Sequence, residues 1–540
     1  MSSYILSLII WMPLLGAFTL LFFNERQTSG IKIVALIFSL IQLLFSIGLV
    51  WRFDPNYGDH LLTSFQFVEK FSWISMSLGS FGSFNIDYHL GVDGMSLWLV
   101  VLSSLITVLG VLASWKLKQQ VRSYFMLYLL LSTSIVGCFL ALDFFLFYLF
   151  FELVLLPMFF LIGLWGGPRR SYASIKFFIY TLVGSLLILV VMIALYLSVG
   201  VLDPTSEMMI HSFNLLHMMD SNYFIEGSSL AKNSVLTFMG MPLRAVAFLA
   251  LFLGFAIKLP IVPFHTWLPD AHVEAATPIS VILAALLLKL GGYGLYRIAF
   301  SIFPDAALHF GYYIAIFGVL AIIYGGLNAM AQNDLKRMIA YSSISHMGFV
   351  LIGLSSFTVE GAAGGMFQMI AHGFISAALF LIVGVLYDRT QNRSIENFSG
   401  LATKLPGYSF VVMIVFFASL GLPGLAGFVG ELLVLMGAFN MSAVDGMLPN
   451  WIGIVAVMGL LITAAYYLWT IQRMFLGKYW VREHSWEPKM KDLEIREWLI
   501  FTPLILGIVV LGMYPKIILD TMNHSIELFI AHVGDLKIKP

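Results

Sequence analysis

Six ionisable residues lie in stretches of sequence that are otherwise almost entirely apolar. They are Glu152, Lys258, Lys289, His346, His372 and Glu431. A charged side chain at the centre of a membrane helix costs about 2.5–3.5 kcal/mol on insertion scales, so residues of this kind are usually functional. Desolvation brings lysine and glutamate towards the range in which they exchange protons near neutral pH, and histidine needs little adjustment. These residue types therefore favour proton carriage through an apolar environment.

Each of the six also has a purely structural interpretation. A buried glutamate can be a protonated core residue, a lysine can extend to an interface, and a histidine can bond across helices. Lys258 and Lys289 lie too deep in their segments to reach an interface easily, and neither segment has a nearby carboxylate. A carboxylate approaching Lys258 from another helix would hold a proton there, and its departure would release that proton. We therefore interpret the six as a proton pathway.

The elements that position these residues must be membrane helices. The 540 residues are 60% hydrophobic and 11% charged, with a mean hydropathy of +0.93, whereas a soluble domain carries about 25% charged residues. We predict an all-α polytopic membrane protein with about fourteen transmembrane helices. The apolar segments cover 4–23, 31–51, 92–115, 124–140, 144–165, 175–199, 245–273, 278–300, 310–331, 338–355, 362–387, 408–439, 452–475 and 498–513.

The distribution of lysine and arginine predicts the orientation of the chain. With the N-terminus outside, the inside connections hold 19 of these residues, and the outside connections, to which Arg297 is assigned, hold 8. This ratio follows the positive-inside rule, favours an even number of helices and places both termini outside. The first 23 residues lack the basic region and cleavage site of a signal peptide, so we expect the first helix to be retained.

Two apolar segments are interrupted by proline and glycine, and each interruption lies beside a charge. The seventh segment breaks at Lys258, and the twelfth breaks just before Glu431. Because these segments are five apart, equivalent helices in the two halves would point in opposite directions. We predict two inverted five-helix repeats, with spans four to eight matching nine to thirteen and an ion site at the breaks. The alternative is a pair of ordinary proline kinks.

The predicted organisation has four parts. They are an N-terminal three-helix segment (1–120), a first repeat (121–300), a second repeat (301–480), and a last helix with a tail (481–540). Two long outside loops, 52–91 and 200–244, should cap the bundle, with a possible short hairpin around 65–86.

Several other chemistries find little support in the sequence. The net charge is zero, so nucleic acid is not an expected partner, and the single cysteine, Cys138, cannot by itself form a disulfide or a metal site. We find no phosphate-binding loop and no convincing dinucleotide fingerprint, and the glycines of 291–294 are typical of helix packing. The histidines and acids between His265 and Glu274 could bind a metal, but a structured turn at a channel mouth is favoured.

Three long motifs resemble those of one family of membrane proteins. They are Lys258-Leu-Pro-Ile-Val-Pro-Phe-His-Thr-Trp-Leu-Pro-Asp-Ala-His-Val-Glu-Ala-Ala-Thr-Pro-Ile-Ser280, Asn333-Asp-Leu-Lys-Arg-Met-Ile-Ala-Tyr-Ser-Ser-Ile-Ser-His-Met-Gly348 and Gly421-Leu-Pro-Gly-Leu-Ala-Gly-Phe-Val-Gly-Glu431. At these residues the chain is similar to the antiporter-like subunits of proton-pumping NADH:quinone oxidoreductase, respiratory complex I. The match covers roughly 124–475 and implies a fourteen-helix inverted-repeat fold.

The resemblance also implies a role for each candidate residue. Glu152 and Lys258 become a coupling pair, and Lys289 becomes the central relay. The two histidines, His346 and His372, become members of a hydrated axis. Glu431 becomes the terminal residue towards the far half-channel.

Within this family, the twelfth span distinguishes the subunit types. Glu431 resembles the chain M (chain 4) type, whereas lysine is usual there in chains L and N and in cation/proton antiporters. The sequence continues for only about 26 residues after its last predicted span, so we do not expect the long lateral helix of chain L. A subunit of a multisubunit cation/proton antiporter or of a membrane-bound hydrogenase complex remains the alternative.

The resemblance further implies that redox chemistry in partner subunits drives the protons. NADH, FMN, iron–sulfur clusters and quinone are expected in those partners, and no cofactor or metal is expected in this chain. The expected partners are the other membrane subunits of complex I, especially chains L and N, together with the lipid bilayer. We expect a multi-pass protein of the bacterial cytoplasmic (inner) membrane with both termini on the periplasmic side.

Overall fold

The computed structural model describes residues 4–77, 83–202, 209–444 and 448–534, and most of these residues are helical. Eleven of the described helices are long and apolar enough to cross a membrane. They are Thr28–Val50, Gly94–Lys116, Val121–Leu140, Phe144–Trp165, Arg170–Ser198, Thr277–Phe300, Pro304–Met330, Leu335–Ser355, Val359–Thr390, Trp451–Met474 and Ile495–Met513. The predicted all-α polytopic membrane fold is confirmed.

Burial divides these helices into a central and a peripheral set. The apolar window of Thr277–Phe300 is entirely buried, and those of Leu335–Ser355 and Val359–Thr390 are 94% buried. By contrast, Thr28–Val50 and Ile495–Met513 are only 28% and 33% buried and expose leucine, isoleucine and valine. Exposed apolar surface of this kind fits a lipid environment. The central helices are therefore separated from that environment by other helices.

Three further predicted spans are built from shorter or interrupted helices. The first is Ile5–Leu20. The seventh consists of Leu243–Lys258 and Trp267–Glu274, and the twelfth consists of Pro406–Ser419 and Ala426–Val444. Both predicted breaks are confirmed. The total of fourteen spans, the inverted repeats and the four-part division stay predictions.

Proline and glycine produce the two breaks. The seventh span stops at Lys258, and Pro260 has no backbone N–H with which to continue the helix. The twelfth span stops at Ser419 and is followed by Gly421 and Gly424, whose φ angles are +79° and +91°. Only a residue without a Cβ atom adopts this left-handed conformation readily. Both breaks thus follow directly from the local sequence.

Two other central spans are irregular in ways that the sequence analysis did not predict. The fifth span divides into Phe144–Leu153 and Leu155–Trp165, because Pro157 cannot donate a hydrogen bond to the preceding turn. The eighth span contains two π-helical stretches, Leu283–Leu287 and Leu295–Phe300. Short π-helical stretches are rare and occur frequently at functional sites.

Antiparallel strand pairs shape the connections. They are Gln66–Ser77 with Ser83–Val92, Gly200–Leu202 with Met209–His211, Thr237–Phe238 with Met241–Pro242, and Phe398–Ser399 with Trp480–Val481. The first pair is the hairpin predicted around 65–86, and its turn lies outside the described residues. Backbone hydrogen bonds from Leu142 to His89 and from Leu215 to Leu142 attach both predicted caps to the start of the fifth span. Short helices occur at Leu61–Thr63, Leu215–Met219, Ser221–Tyr223, Ile395–Asn397, Leu401–Lys404 and His484–Lys489.

The hairpin also holds the N-terminal helix. Glu69 is buried and accepts hydrogen bonds from the backbone N–H groups of Leu6 and Ser7 and from the Ser7 hydroxyl. A carboxylate at a helix N-terminus satisfies donors that have no partner within the helix. Burial raises the pKa of Glu69, and these hydrogen bonds oppose the rise. The cap and the first span are therefore one packed unit.

The residues after the last predicted span form an amphipathic helix, Lys516–Gly534, which the sequence analysis did not predict. This helix lies against the start of the third span. The backbone N–H of Gly94 donates to Ser525 Oγ at 3.0 Å, and Trp98 Nε1 donates to Thr521 Oγ1 at 2.6 Å. The described part of the tail is thus anchored to the bundle.

Arg297 does not lie in an outside connection, so that sequence-based assignment is wrong. Its side chain is fully buried on the eighth span, and Nη2 lies 2.5 Å from Asp93 Oδ2. Arg297 Nε also donates to Tyr293 OH at 3.0 Å, and Asp93 caps the third span by accepting from Ser96 N. The partners are 204 residues apart, which is why the sequence did not reveal the pair.

Replacing only one member of the Arg297–Asp93 pair should destabilise the fold strongly. Arg297→Met leaves Asp93 buried without its counter-ion, and we expect a loss of about 3–5 kcal/mol in the free energy of unfolding. The double variant Arg297→Met/Asp93→Leu should lose much less, because no unpaired charge remains. Thermal unfolding in detergent measures both losses, and equal destabilisation by the single and double variants would contradict this account.

Candidate functional site

Five of the six candidate residues are buried at the centre of the bundle. Their exposed fractions are 2% for Lys258, 0% for Lys289, 4% for His346, 3% for His372 and 3% for Glu431. The sixth, Glu152, is partly buried, and its Oε1 has no hydrogen-bond partner among the described residues. None of these six side chains extends to bulk solvent in the way that an ordinary surface charge does.

Lys289 contacts His372 directly. Lys289 lies just after the first π-helical stretch of the eighth span, and its Nζ donates to the carbonyl of Ala284 within that stretch at 2.6 Å. The same Nζ lies 2.7 Å from Nδ1 of His372 on Val359–Thr390. An amine and an imidazole nitrogen at this distance can exchange a proton in one step.

A second contact joins His346 to Glu431. His346 Nδ1 lies 3.1 Å from Glu431 Oε1, and the centroids of the His346 and His372 rings are 5.6 Å apart. Lys289, His372, His346 and Glu431 therefore follow one another in a line, which we call the buried row, with a hydrogen-bonding contact at each end and two neighbouring rings between them. The structure brings together four of the six predicted residues in this row.

The glycines around the break of the twelfth span leave room for Glu431. A methyl group at Gly421 would lie 2.6 Å from Glu431 Oε2, and a methyl group at Gly430 would lie 2.4 Å from Gln368 Oε1. Both distances are shorter than side chains tolerate. The break therefore does more than end a helix, because it lets the backbone approach the carboxylate closely.

Lys258 and Glu152 form a separate cluster. Lys258 Nζ donates to the carbonyl of Phe151 at 3.2 Å and lies 3.4 Å from the centre of the Phe151 ring. An aromatic face and a carbonyl oxygen both stabilise an ammonium group. The charges of Lys258 and Glu152 are close enough to interact, yet the described residues show no ion pair between them. The predicted coupling pair is adjacent without direct contact.

The helices that carry Lys258 and Lys289 touch at Gly291. A methyl group at Gly291 would lie 2.7 Å from the carbonyl oxygen of Phe255 and 2.7 Å from the backbone nitrogen of Leu259. Small residues permit such close approach of membrane helices. The predicted packing role of the glycines in 291–294 is confirmed here, and it places the two lysines on neighbouring backbones.

Two further buried basic residues were not recognised as part of the site. Lys336, one of the 19 basic residues that the charge distribution assigned to inside connections, is 4% exposed and donates to the carbonyl of Ala275 at 2.6 Å. His272 is fully buried and stacks on Phe380 with 4.3 Å between centroids. Neither ring nitrogen of His272 has a hydrogen-bond partner among the described residues, which is uncommon for a buried polar atom.

The stretch around His272 is the one considered above as a possible metal site. It forms the short helix Trp267–Glu274 after the break of the seventh span. Within the described ranges, no group of three or more His, Cys, Asp or Glu side chains has a metal-binding arrangement. The glutamate of this stretch instead accepts a hydrogen bond at 2.8 Å from the backbone N–H of Arg169.

A cavity of about 370 Å³ opens beside Lys336. Its wall includes the charged side chains of Glu274, Asp388, Arg393 and Arg496. His272 lies within electrostatic range of both Lys336 and Lys289. A series of ionisable groups therefore leads from the cavity to the start of the buried row.

Comparisons with known proteins agree with this geometry. A family model described as "NADH:quinone oxidoreductase/Mrp antiporter, TM" matches residues 141–463. NADH-quinone oxidoreductase subunit M of Rhodobacter capsulatus is 39% identical, with 98% of each chain covered. A chain of respiratory complex I from Thermus thermophilus superposes with a TM-score of 0.78 at 27% identity, covering 99% of this chain and 100% of that chain. A chain of the Mrp complex from Dietzia shares the fold, with a TM-score of 0.79 at 19% identity and 98% and 99% of the two chains covered.

The close approach at Gly421 gives a matched pair of variants. Gly421→Ala and Gly424→Ala both place a Cβ atom at a positive φ, which costs about 1–2 kcal/mol. Only Gly421→Ala meets Glu431, because an added methyl group at Gly424 has nothing within 4 Å. We expect the infrared carboxyl band of Glu431, assigned by comparison with Glu431→Gln, to shift in Gly421→Ala alone. A shift of equal size in both variants would show that the backbone, and not the contact, positions Glu431.

Proposed function

The chain belongs to the NADH:quinone oxidoreductase/Mrp antiporter family of membrane subunits, and from this premise we propose that it translocates protons as the subunit M (chain 4) type of an NADH:quinone oxidoreductase. The observation that carries this proposal is the buried row, in which a lysine, two histidines and a glutamate lie end to end inside apolar helices. Redox chemistry in partner subunits supplies the free energy, and this chain provides a path for protons.

In the proposed path, protons enter from the cavity beside Lys336 and reach Lys289 by way of His272. Lys289 then passes a proton to His372 across the 2.7 Å contact. From His372 the proton moves along the buried row, and Glu431 delivers it towards the opposite side of the membrane. Each transfer breaks one N–H bond and forms one N–H or O–H bond, so only protons move.

The Glu152–Lys258 cluster is proposed to control when Lys289 holds its proton. When the carboxylate approaches Lys258, the positive charge on Lys258 is stabilised. A charged Lys258 on a neighbouring helix repels a charge on Lys289 and favours release of its proton into the buried row. The absence of a direct ion pair among the described residues fits a contact that forms and breaks during turnover.

The proposal also assigns partners and orientation. Chains L and N of the same complex are the proposed membrane neighbours, and NADH, FMN, iron–sulfur clusters and quinone are assigned to partner subunits. The excess of basic residues on one set of connections supports both termini on the periplasmic side of a bacterial inner membrane. Co-purification in mild detergent tests these neighbours directly.

Replacing either central lysine should abolish pumping without preventing assembly. Lys289→Met removes a proton-transferring group, and we expect NADH-driven acidification of inverted vesicles to fall by about 100-fold or more. Lys258→Ala removes the charge that controls Lys289, and we expect proton pumping to collapse in this variant too. The exposed lysine Lys118 provides the control Lys118→Ala, which should pump normally. Normal pumping by assembled Lys289→Met complex would refute the proposed path.

The transported ion distinguishes proton pumping from cation/proton antiport. In proteoliposomes that contain the purified complex, NADH-driven proton movement should be unchanged when sodium is replaced by choline. The reason is that the buried row consists of groups that bind protons, and it has a single carboxylate. Proton movement that requires sodium, together with radioactive sodium uptake in the opposite direction, would favour the antiporter instead.

A further inference from the structure

A chain of buried hydroxyl groups branches from His346 and takes no part in the path described above. His346 Nε2 lies 3.2 Å from Ser419 Oγ, and Ser419 Oγ donates to Tyr467 OH at 2.8 Å. Tyr467 OH donates to Ser342 Oγ at 3.1 Å, and Ser342 Oγ donates to the carbonyl of Ile339 at 2.8 Å. The three hydroxyl-bearing residues are almost completely buried and come from three different helices.

The end of this chain fixes the direction of every hydrogen bond in it. A backbone carbonyl has no hydrogen and can only accept, and each hydroxyl has one hydrogen to donate. Ser342 uses its hydrogen on Ile339, so it accepts from Tyr467, and Tyr467 in turn accepts from Ser419. Ser419 has then used its only hydrogen and can only accept at the contact with His346. The hydrogen in that contact must therefore come from His346 Nε2.

We propose that Ser419, Tyr467 and Ser342 are positioning residues that hold a hydrogen on Nε2 of His346 and so make Nδ1 the nitrogen that exchanges protons with Glu431. This inference rests on the proposed function of the buried row. In the exchange, the Nδ1–H bond breaks and an O–H bond forms on Glu431, so an imidazolium and a carboxylate become a neutral imidazole and a carboxylic acid. The neutral ring that remains is the Nε2–H tautomer.

A second contact supports the same tautomer. The side-chain amide of Gln368 places its Nε2 3.4 Å from His346 Nδ1. An amide N–H can donate only to a ring nitrogen that has a free lone pair, which Nδ1 has in the Nε2–H tautomer. With the amide in this orientation, the contact favours the same form as the hydroxyl chain, which is ready to take its next proton on Nδ1.

The hydroxyl chain also ends without an outlet. Passage of a proton along hydrogen-bonded hydroxyls requires that each group accept one proton and give up another. The Ile339 carbonyl has none to give. The branch therefore orients His346 without offering protons a second way out of the buried row.

The tautomer can be measured directly. The whole complex is labelled with ¹⁵N in its histidine rings, and His346 is identified by the signals lost in His346→Gln. Solid-state NMR of the unchanged complex, at a pH where the ring is neutral, should show hydrogen on Nε2. In Tyr467→Phe, Ser419 has no tyrosine hydroxyl to donate to and can donate to Nε2, so the Nδ1–H form should gain about five-fold, the size of one net hydrogen bond.

Two further variants keep this test decisive. Ser342→Ala leaves Tyr467 in place and removes the acceptor of its hydrogen, so Nε2 of His346 should again lose its fixed hydrogen. This variant provides the test if Tyr467→Phe fails to assemble. Tyr128→Phe is the matched control, because Tyr128 is equally buried and its hydroxyl donates to the carbonyl of Thr107, outside the hydroxyl chain. It should leave the tautomer and pumping unchanged.

Proton pumping per NADH oxidised should fall in Tyr467→Phe and Ser342→Ala in proportion to the loss of the Nε2–H form, which is smaller than the roughly five-fold change in the ratio of the two tautomers. A neutral His346 with hydrogen on Nδ1 in the unchanged complex would overturn the proposal. So would an unaltered tautomer in both variants, or an equal change in Tyr128→Phe. If His346→Gln pumps normally, the buried row is not the proton path. The NMR measurement still tests, independently of pumping, whether the hydroxyl chain sets the tautomer of His346.

Discussion

An ionisable group removed from water is stable only when other polar atoms replace the lost water, and the centre of this protein is organised by that requirement. Lys289, Lys258 and Lys336 each donate to a backbone carbonyl. In a regular helix these carbonyls are already used by the helix itself. Ala284 lies in a π-helical stretch, Phe151 in the last turn of an interrupted helix and Ala275 between two helices, so the buried lysines use carbonyls at irregular backbone.

The two groups of candidate residues satisfy this requirement differently. In the buried row, Lys289 contacts His372 and His346 contacts Glu431, so each of these groups has a nearby acceptor for a proton. Around Lys258, a carbonyl and an aromatic ring replace the carboxylate that would otherwise neutralise the charge. Direct contacts of this kind suit rapid transfer, whereas an ammonium group with an adjacent but separate acid suits control by small movements. The helices that carry Lys258 and Lys289 are in close contact at Gly291.

The sequence predicted which ionisable residues enter the bundle better than it predicted what they touch. A charge in an apolar segment is conspicuous, and proline and glycine mark the breaks, so the six residues and both interruptions could be found. The contact of Lys289 with His372 joins positions 83 residues apart, and nothing local specifies it. The stretch Leu283–Leu287 contains only leucine and alanine, which give no sign of π-helical geometry. Lys336 was misjudged because charged neighbours made it resemble part of an exposed connection, and the helix Lys516–Gly534 was missed because it is amphipathic rather than apolar.

The two π-helical stretches of the eighth span lie on either side of a seven-residue α-helical segment, Leu288–Gly294, which carries Lys289. A π-helical turn holds one more residue than an α-helical turn, and each residue of an α-helix advances the side chain by about 100°. If one stretch gave up its additional residue while the other gained one, the segment Leu288–Gly294 would rotate about the helix axis. The two ends of the helix would stay in place. Lys289 would then turn away from His372 towards a different wall of the bundle, without any change in the length of the span.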